Sequence, residues 1–445
     1  MNDESTTQIQ PVNKEVKSKN CLLIIVSISA VVGIVVIIFI VILVRSKNDN
    51  SPKKEINEEQ IIKNVSELIS DTLEQASEQI SEQILEQDSD SEQISIQTTE
   101  QLSEQNTEQI SATTQEVIAD YDQTCLFLQL LQFGGREANS FSPRAEPKNE
   151  TREDGTYVRT DINFGETFPN SYLDIYYPGP IEEDRPTYIF WHGGGHIFGD
   201  KNLGDPLSPN SDTTMHMFAY IYNQGFNFIS VNYCFAPKYR YPAQIIQYDQ
   251  VLEYLNNNSK ELNLNMNNVV LAGTSGGAIY TTQWAMLLTN EFYLQEFNRL
   301  LKEKGYDEMK RVSLNRTQVK ALVLEGTPMI IDGMNEGTQA LFKCWYGHDN
   351  IVNLWYSNLT HIVEYVDSNF IPSFITAGND ACFPEDALEL KNKLEELGVN
   401  YSYCYWDKDV EILNHGYMSS FETSVHAKMA LDQSLEFVKS KVFNI

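Results

Sequence analysis

From Tyr157 onward, short β-rich runs alternate with longer amphipathic stretches. That alternation confines the chain to few architectures. Strands separated by helix-length segments need crossover connections, which give a mostly parallel sheet. The runs are TYVRTDINF (156–164), YLDIYY (172–177), TYIFWH (187–192), FNFISVNY (226–233), VVLAG (269–273), ALVLEG (321–326), SFITAG (373–378) and YSYCYW (401–406). Helical candidates such as AQIIQYDQVLEYLNNN, TQWAMLLTNEF and EDALELKNKLEELG fall between the later runs. Only GETFPNS separates the first two runs, so that pair is expected to form an antiparallel hairpin at the edge. The expectation is an eight-stranded sheet, flanked by helices, with its site at the carboxyl ends of the strands.

Four loops at those ends carry chemistry. HGGGHIFGD (His192 to Asp200) follows TYIFW, and its consecutive glycines leave backbone N–H groups free to approach a ligand closely. GTSGGA (Gly273 to Ala278) follows VVLA and opens a helical stretch; it fits G-x-S-x-G at a strand-to-helix junction, the setting of a nucleophile elbow. AGNDACFPED follows SFIT and offers Asp380, with Asp386 and Asn379 as rivals. NHGYM places His415 in a loop after the last run. Each alone fits a plain turn. Together they supply a hydroxyl, a base for its proton and a carboxylate to hold that base, in the chain order Ser275, Asp380, His415. The N–H groups of Gly194, Gly195 and Gly276 are the candidate donors to a developing oxyanion.

On His192-Gly-Gly-Gly195, Gly273-Thr-Ser275-Gly-Gly277, Asp380, His415-Gly-Tyr417 and VNYCFAPKYRYPA (231–243), residues 150–442 resemble the α/β-hydrolase superfamily. The resemblance is greatest to its acetyl-esterase and hormone-sensitive-lipase-like branch. It implies an α/β-hydrolase fold with a small cap, a carboxylic-ester hydrolase working through an acyl-enzyme, and neither metal nor organic cofactor. Cap candidates are residues 121–150 and the stretch from Met329 to Asn369. The sequence departs from the branch at Thr274, Gly276 and Ala278 around the serine. It departs again at His196, where an aromatic is usual, and at Cys234, where an arginine is usual. An amidase or aryl-formamide hydrolase would use the same machinery. A non-catalytic recognition ectodomain is the reading from a different class; such relatives often lack a triad member, and this chain lacks none.

The N-terminal part reads differently. After a tail at 1–20, residues 21–44 (CLLIIVSISAVVGIVVIIFIVILV) run without a charge, against about 20 residues needed to cross a bilayer. A single transmembrane helix is expected there, with the lipid bilayer as its partner. Residues 45–120 form an acidic stalk rich in Ser, Glu and Gln whose four-residue apolar spacing sustains no heptad. The hydrolase-like domain takes up 121–445. Basic residues flank the apolar run almost equally, so the positive-inside rule does not orient it. Sequons at Asn64, Asn149, Asn257, Asn315 and Asn358 lean towards an extracytoplasmic domain. A formal net charge of −30 argues against nucleic-acid binding, which needs a basic face. The six cysteines show neither metal spacing nor a complete disulfide framework.

Overall fold

The structure is a computed structural model. It describes residues 120–443 apart from 134–135, 183, 203–213, 333 and 381–382. The expected membrane helix at 21–44, and the stalk up to residue 119, lie outside the described residues. Among the described residues no helix is long and apolar enough to cross a membrane.

Helix α1 (Asp120–Phe133) leads into strands β1 (Asn149–Thr151), β2 (Tyr157–Asn163), β3 (Tyr172–Tyr177) and β4 (Pro186–Trp191). Helix α2 (Thr214–Tyr222), strand β5 (Asn227–Val231), helix α3 (Ala243–Asn257) and strand β6 (Asn265–Thr274) follow. Then come α4 (Gly276–Thr289), α5 (Glu291–Glu303), β7 (Val319–Glu325), α6 (Glu336–Tyr346), β8 (Ser373–Thr376), α7 (Pro384–Glu396), β9 (Tyr401–Cys404) and α8 (Val425–Val442).

The described strands make one sheet in the order β1-β2-β3-β5-β4-β6-β7-β8-β9. β1 to β3 pair antiparallel with their neighbours, and β3 pairs antiparallel with β5. From β5 to β9 every pairing is parallel. The edge hairpin expected from GETFPNS is β2–β3. The strand count needs correction: the sheet has nine strands, because the eight expected runs are joined by β1. That strand is three exposed residues, NET, with no apolar alternation to reveal it.

Alternation on the parallel strands separates two cores. Ile189 and Trp191 of β4 pack with Ile229, Leu271 and Leu324 on the face covered by α3, α4 and α5. Tyr188 and Phe190 point the other way, onto Phe228, Val270 and Val323 beneath α2 and α8. Both faces are covered, which is why β3, β4 and β5 are buried at every position.

The winding reverses at β4, which has β5 on one side and β6 on the other. Loops leaving the carboxyl ends of β4 and β6 therefore diverge and leave a crevice, the usual place for a ligand in such sheets. α1 and α6 fall within the two segments expected to supply a cap and pack on one another. A disulfide between Cys125 of α1 and Cys344 of α6 joins them across 219 residues of sequence. Cys234 and Cys404 are buried free thiols.

Candidate active site

Register sets the site. Trp191 lies opposite Gly273, Thr274 opposite Glu325, Glu325 opposite Thr376, and Thr376 opposite Cys404. The chemistry-bearing residues lie just beyond this row of strand ends.

Ser275 sits between β6 and α4 with φ 55° and ψ −122°, a left-handed conformation that a side chain resists. Its flanking glycines are enforced by contact. A Cβ on Gly273 would lie 2.4 Å from the Gly277 carbonyl carbon, and one on Gly277 would lie 2.2 Å from the Trp191 carbonyl oxygen. The elbow closes only because β4, β6 and α4 meet without side chains in between. The Ser275 N–H donates to the Glu325 carbonyl at 2.9 Å, and its own carbonyl accepts from Ile279 N–H at 3.0 Å.

The glycine loop turns through left-handed backbone at Gly194 (φ 110°) and Gly195 (φ 57°). His192 is buried, stacks on Tyr233 at 4.3 Å and places Nδ1 2.7 Å from the Gly193 carbonyl. The Tyr233 hydroxyl donates towards the His192 and Gly193 carbonyls at 2.9 and 2.8 Å. With carbonyls engaged on one side, the loop presents N–H groups on the other. No acceptor among the described residues takes the N–H of Gly194, Gly195 or Gly276. The last is also the first residue of α4, where helical N–H groups have no intrahelical partner. Beyond the loop, buried Lys201 pairs with Asp161 at 2.9 Å and Asp174 at 3.4 Å, fastening it to β2 and β3.

Ser275, Gly195, Gly276 and His415 line one cavity of about 170 Å³. His415 reaches it from the loop before Gly416, whose φ is 68°, and its ring meets Phe383 edge-on at 5.7 Å. The structure thus brings four expected residues together. Asp380 does not line the cavity. It lies beyond β8, where its N–H donates to the Leu413 carbonyl at 3.3 Å, two residues before His415. Its half-exposed carboxylate accepts from Lys408 Nζ at 2.8 Å.

The rivals of Asp380 are occupied elsewhere. Asp386 is buried in α7, and its Oδ1 accepts from Met329 and Ile330 N–H at 2.5 and 2.6 Å, clamping the chain next to Pro328. Burial pushes its carboxyl up to about 6. Asn379 donates through Nδ2 to the Trp406 and Glu411 carbonyls and accepts from Leu413 N–H, bracing the segment that leads to His415.

Two residues carry parts that the motifs do not reveal. Buried Glu325 accepts from Thr274 Oγ1 at 2.9 Å and from Met418 N–H at 2.8 Å. One side chain therefore ties the serine's neighbour to the histidine's loop. Its only trace in the sequence is a carboxylate closing the apolar run ALVLEG. His196 forms a wall of the cavity beside Gly276. Among the described residues no group of three or more His, Cys, Asp and Glu is arranged to hold a metal ion.

Comparison with known proteins agrees with this geometry. The BD-FAE family model matches residues 173–394. Carboxylesterase NlhH of Mycobacterium tuberculosis is 26% identical over 113 residues, 25% of this chain and 33% of the relative. An acetyl esterase of Salmonella paratyphi B is 28% identical over 127 residues, 28% of this chain and 36% of the relative. The chain thus spans about a third of the length of the curated relatives it matches. Among solved structures, an inhibited Esterase B from Lactobacillus rhamnosis superposes with a TM-score of 0.51 at 20% identity, covering 66% of this chain and 89% of that one. The fold is that of an α/β hydrolase, and the curated relatives that the chain matches are named as esterases.

Proposed function

We propose that the chain is a serine carboxylic-ester hydrolase for esters with short or medium acyl groups, the short ones preferred. The observation that carries this reading is the strained Ser275 elbow, which opens on the cavity that His415 and the Gly195 and Gly276 backbone also line. His415 takes the Ser275 hydroxyl proton as Oγ attacks the ester carbonyl carbon. Asp380 is assigned to fix the tautomer of His415 and stabilise its cation, for which its carboxylate has to turn from Lys408 to the imidazole. The N–H groups of Gly194, Gly195 and Gly276 hold the oxyanion of the tetrahedral adduct. His415 returns the proton to the alcohol oxygen as the ester C–O bond breaks. Water, deprotonated by the same histidine, then cleaves the acyl-serine. The cavity of about 170 Å³ has room for an acetyl or butyryl group. The curated relatives' names, carboxylesterase and acetyl esterase, support the same reading.

The test is hydrolysis of p-nitrophenyl acetate, butyrate and decanoate by the intact chain in detergent. Acetate and butyrate are expected to exceed decanoate by at least about tenfold in kcat/KM, an acyl chain outside the pocket forfeiting its burial. Absence of turnover on all three by folded protein would move the assignment to an amide or a recognition role.

The second part of the proposal is an anchor at 21–44 with the hydrolase domain on the extracytoplasmic side. A disulfide between Cys125 and Cys344 suits an oxidising compartment. The sequon asparagines at 149, 257, 315 and 358 are all exposed, as glycan attachment requires. On native membranes, an amidase that removes N-glycans is expected to lower the apparent mass, and a protease added outside is expected to reach the domain. A domain without glycan that is cut only after membrane lysis refutes this placement.

A further inference from the structure

His196 directly follows the three glycines, with φ 70°. Its ring lies flat on Trp345 of α6, with centroids 3.8 Å apart and planes within 7°, and meets Phe342 edge-on. Nδ1 is 2.7 Å from the Tyr280 hydroxyl of α4. The ring borders the oxyanion side of the site: a Cβ on Gly276 would come within 3.3 Å of Nδ1. The residue lines the cavity, and its other nitrogen, Nε2, bonds to no described residue. Burial pushes the imidazole down to about 3, so the ring is neutral wherever a serine hydrolase works.

We propose that His196 selects the substrate, its Nε2 contacting a hydroxyl that the ester carries close to the scissile bond. The inference rests on the hydrolase reading above and names the class of ester the site prefers. A neutral imidazole presents either a donor or an acceptor at Nε2, depending on whether the Tyr280 hydroxyl donates to Nδ1 or accepts from it. A substrate carbonyl satisfies only a donor and an ammonium only an acceptor, whereas a hydroxyl satisfies both. Apart from Thr338, the rest of the wall, Pro328, Leu341, Phe342 and Phe383, is apolar, so a charged substituent would be desolvated with no opposite charge to pair it. His196 lines the same cavity as Ser275, which places such a hydroxyl near the ester.

The test uses two pairs of esters in which hydroxyl replaces methyl. 2-Hydroxyethyl acetate against propyl acetate reads the alcohol side; ethyl glycolate against ethyl propionate reads the acyl side. With the intact chain, kcat/KM is expected to favour the hydroxyl member of at least one pair by about tenfold, the worth of one hydrogen bond to a site built for it. His196→Phe, which keeps the stack on Trp345, is expected to bring that ratio to about one, and His196→Gln to retain part of it. Each ratio is internal to one variant, so a lower folded fraction does not move it; His196→Leu gives the same reading if the phenylalanine variant does not accumulate. Ratios near one in both pairs for the native protein overturn the proposal, as does a preference that survives His196→Phe. No turnover of any of the four esters or of p-nitrophenyl acetate is a different result, and rejects the ester-hydrolase reading itself.

Discussion

Ser275→Ala is expected to lower kcat on p-nitrophenyl acetate by about three to six orders of magnitude, and His415→Ala by a similar amount. The reason lies in how the two groups depend on each other. A hydroxyl is a poor nucleophile until its proton has somewhere to go, and the histidine serves only if a nucleophile gives it one. The double variant is therefore expected to be no slower than either single one, a non-additivity that independent contributions would not produce. A fluorophosphonate probe should label the native serine and leave the alanine variant unlabelled. Backbone geometry supplies a second readout. Ser275 holds a Cβ at φ 55°, and Ser275→Gly removes it. That variant is expected to lose turnover while gaining about 1 kcal/mol in urea unfolding, since strain at the elbow serves reaction and not stability. Full turnover in Ser275→Ala would remove the serine from the mechanism.

The features legible in the sequence share a physical property: each is local. HGGG and GTSGG declare themselves because a strand end, a sharp turn and a close backbone approach all need glycine within a few residues. The parallel strands are legible because both faces are buried, which leaves long apolar runs such as VVLA and TYIFW. What escapes notice is settled between distant segments. Cys125 and Cys344 carry no spacing signal across 219 residues, and five cysteines beyond the first do not suggest which two pair. Glu325 draws its partners from Thr274 and Met418, so its part is invisible until β6, β7 and the histidine loop are side by side. The choice among Asp380, Asp386 and Asn379 is open in the sequence because all three follow one strand. The structure finds each of the three side chains engaged away from the cavity, Asp386 and Asn379 on backbone groups and Asp380 on Lys408. β1 leaves no mark in the sequence because three exposed residues on an edge carry no periodicity.

Gly277→Ala is expected to destabilise the domain by about 3 kcal/mol or more, and in practice to leave little folded protein. Its new methyl would lie 2.2 Å from the Trp191 carbonyl oxygen and 2.6 Å from that of His192. Both obstacles are backbone at the end of β4, held by pairing with β5 and β6, so neither can rotate away as a side chain would. Relief requires α4 to move off the sheet, which would take Ser275 with it. Gly276→Ala, one residue earlier, is the control. Its nearest neighbour is His196 Nδ1 at 3.3 Å, so a ring packed on Trp345 has to yield only a few tenths of an ångström. Replacing glycine by alanine in a first helical turn also reduces the freedom of the unfolded chain, a gain of up to about 1 kcal/mol. Adjacent glycines, one substitution and a far larger loss of stability at Gly277 than at Gly276 in urea melts would show that close packing of β4, β6 and α4, not general flexibility, builds the elbow. Equal effects at the two positions would refute that account.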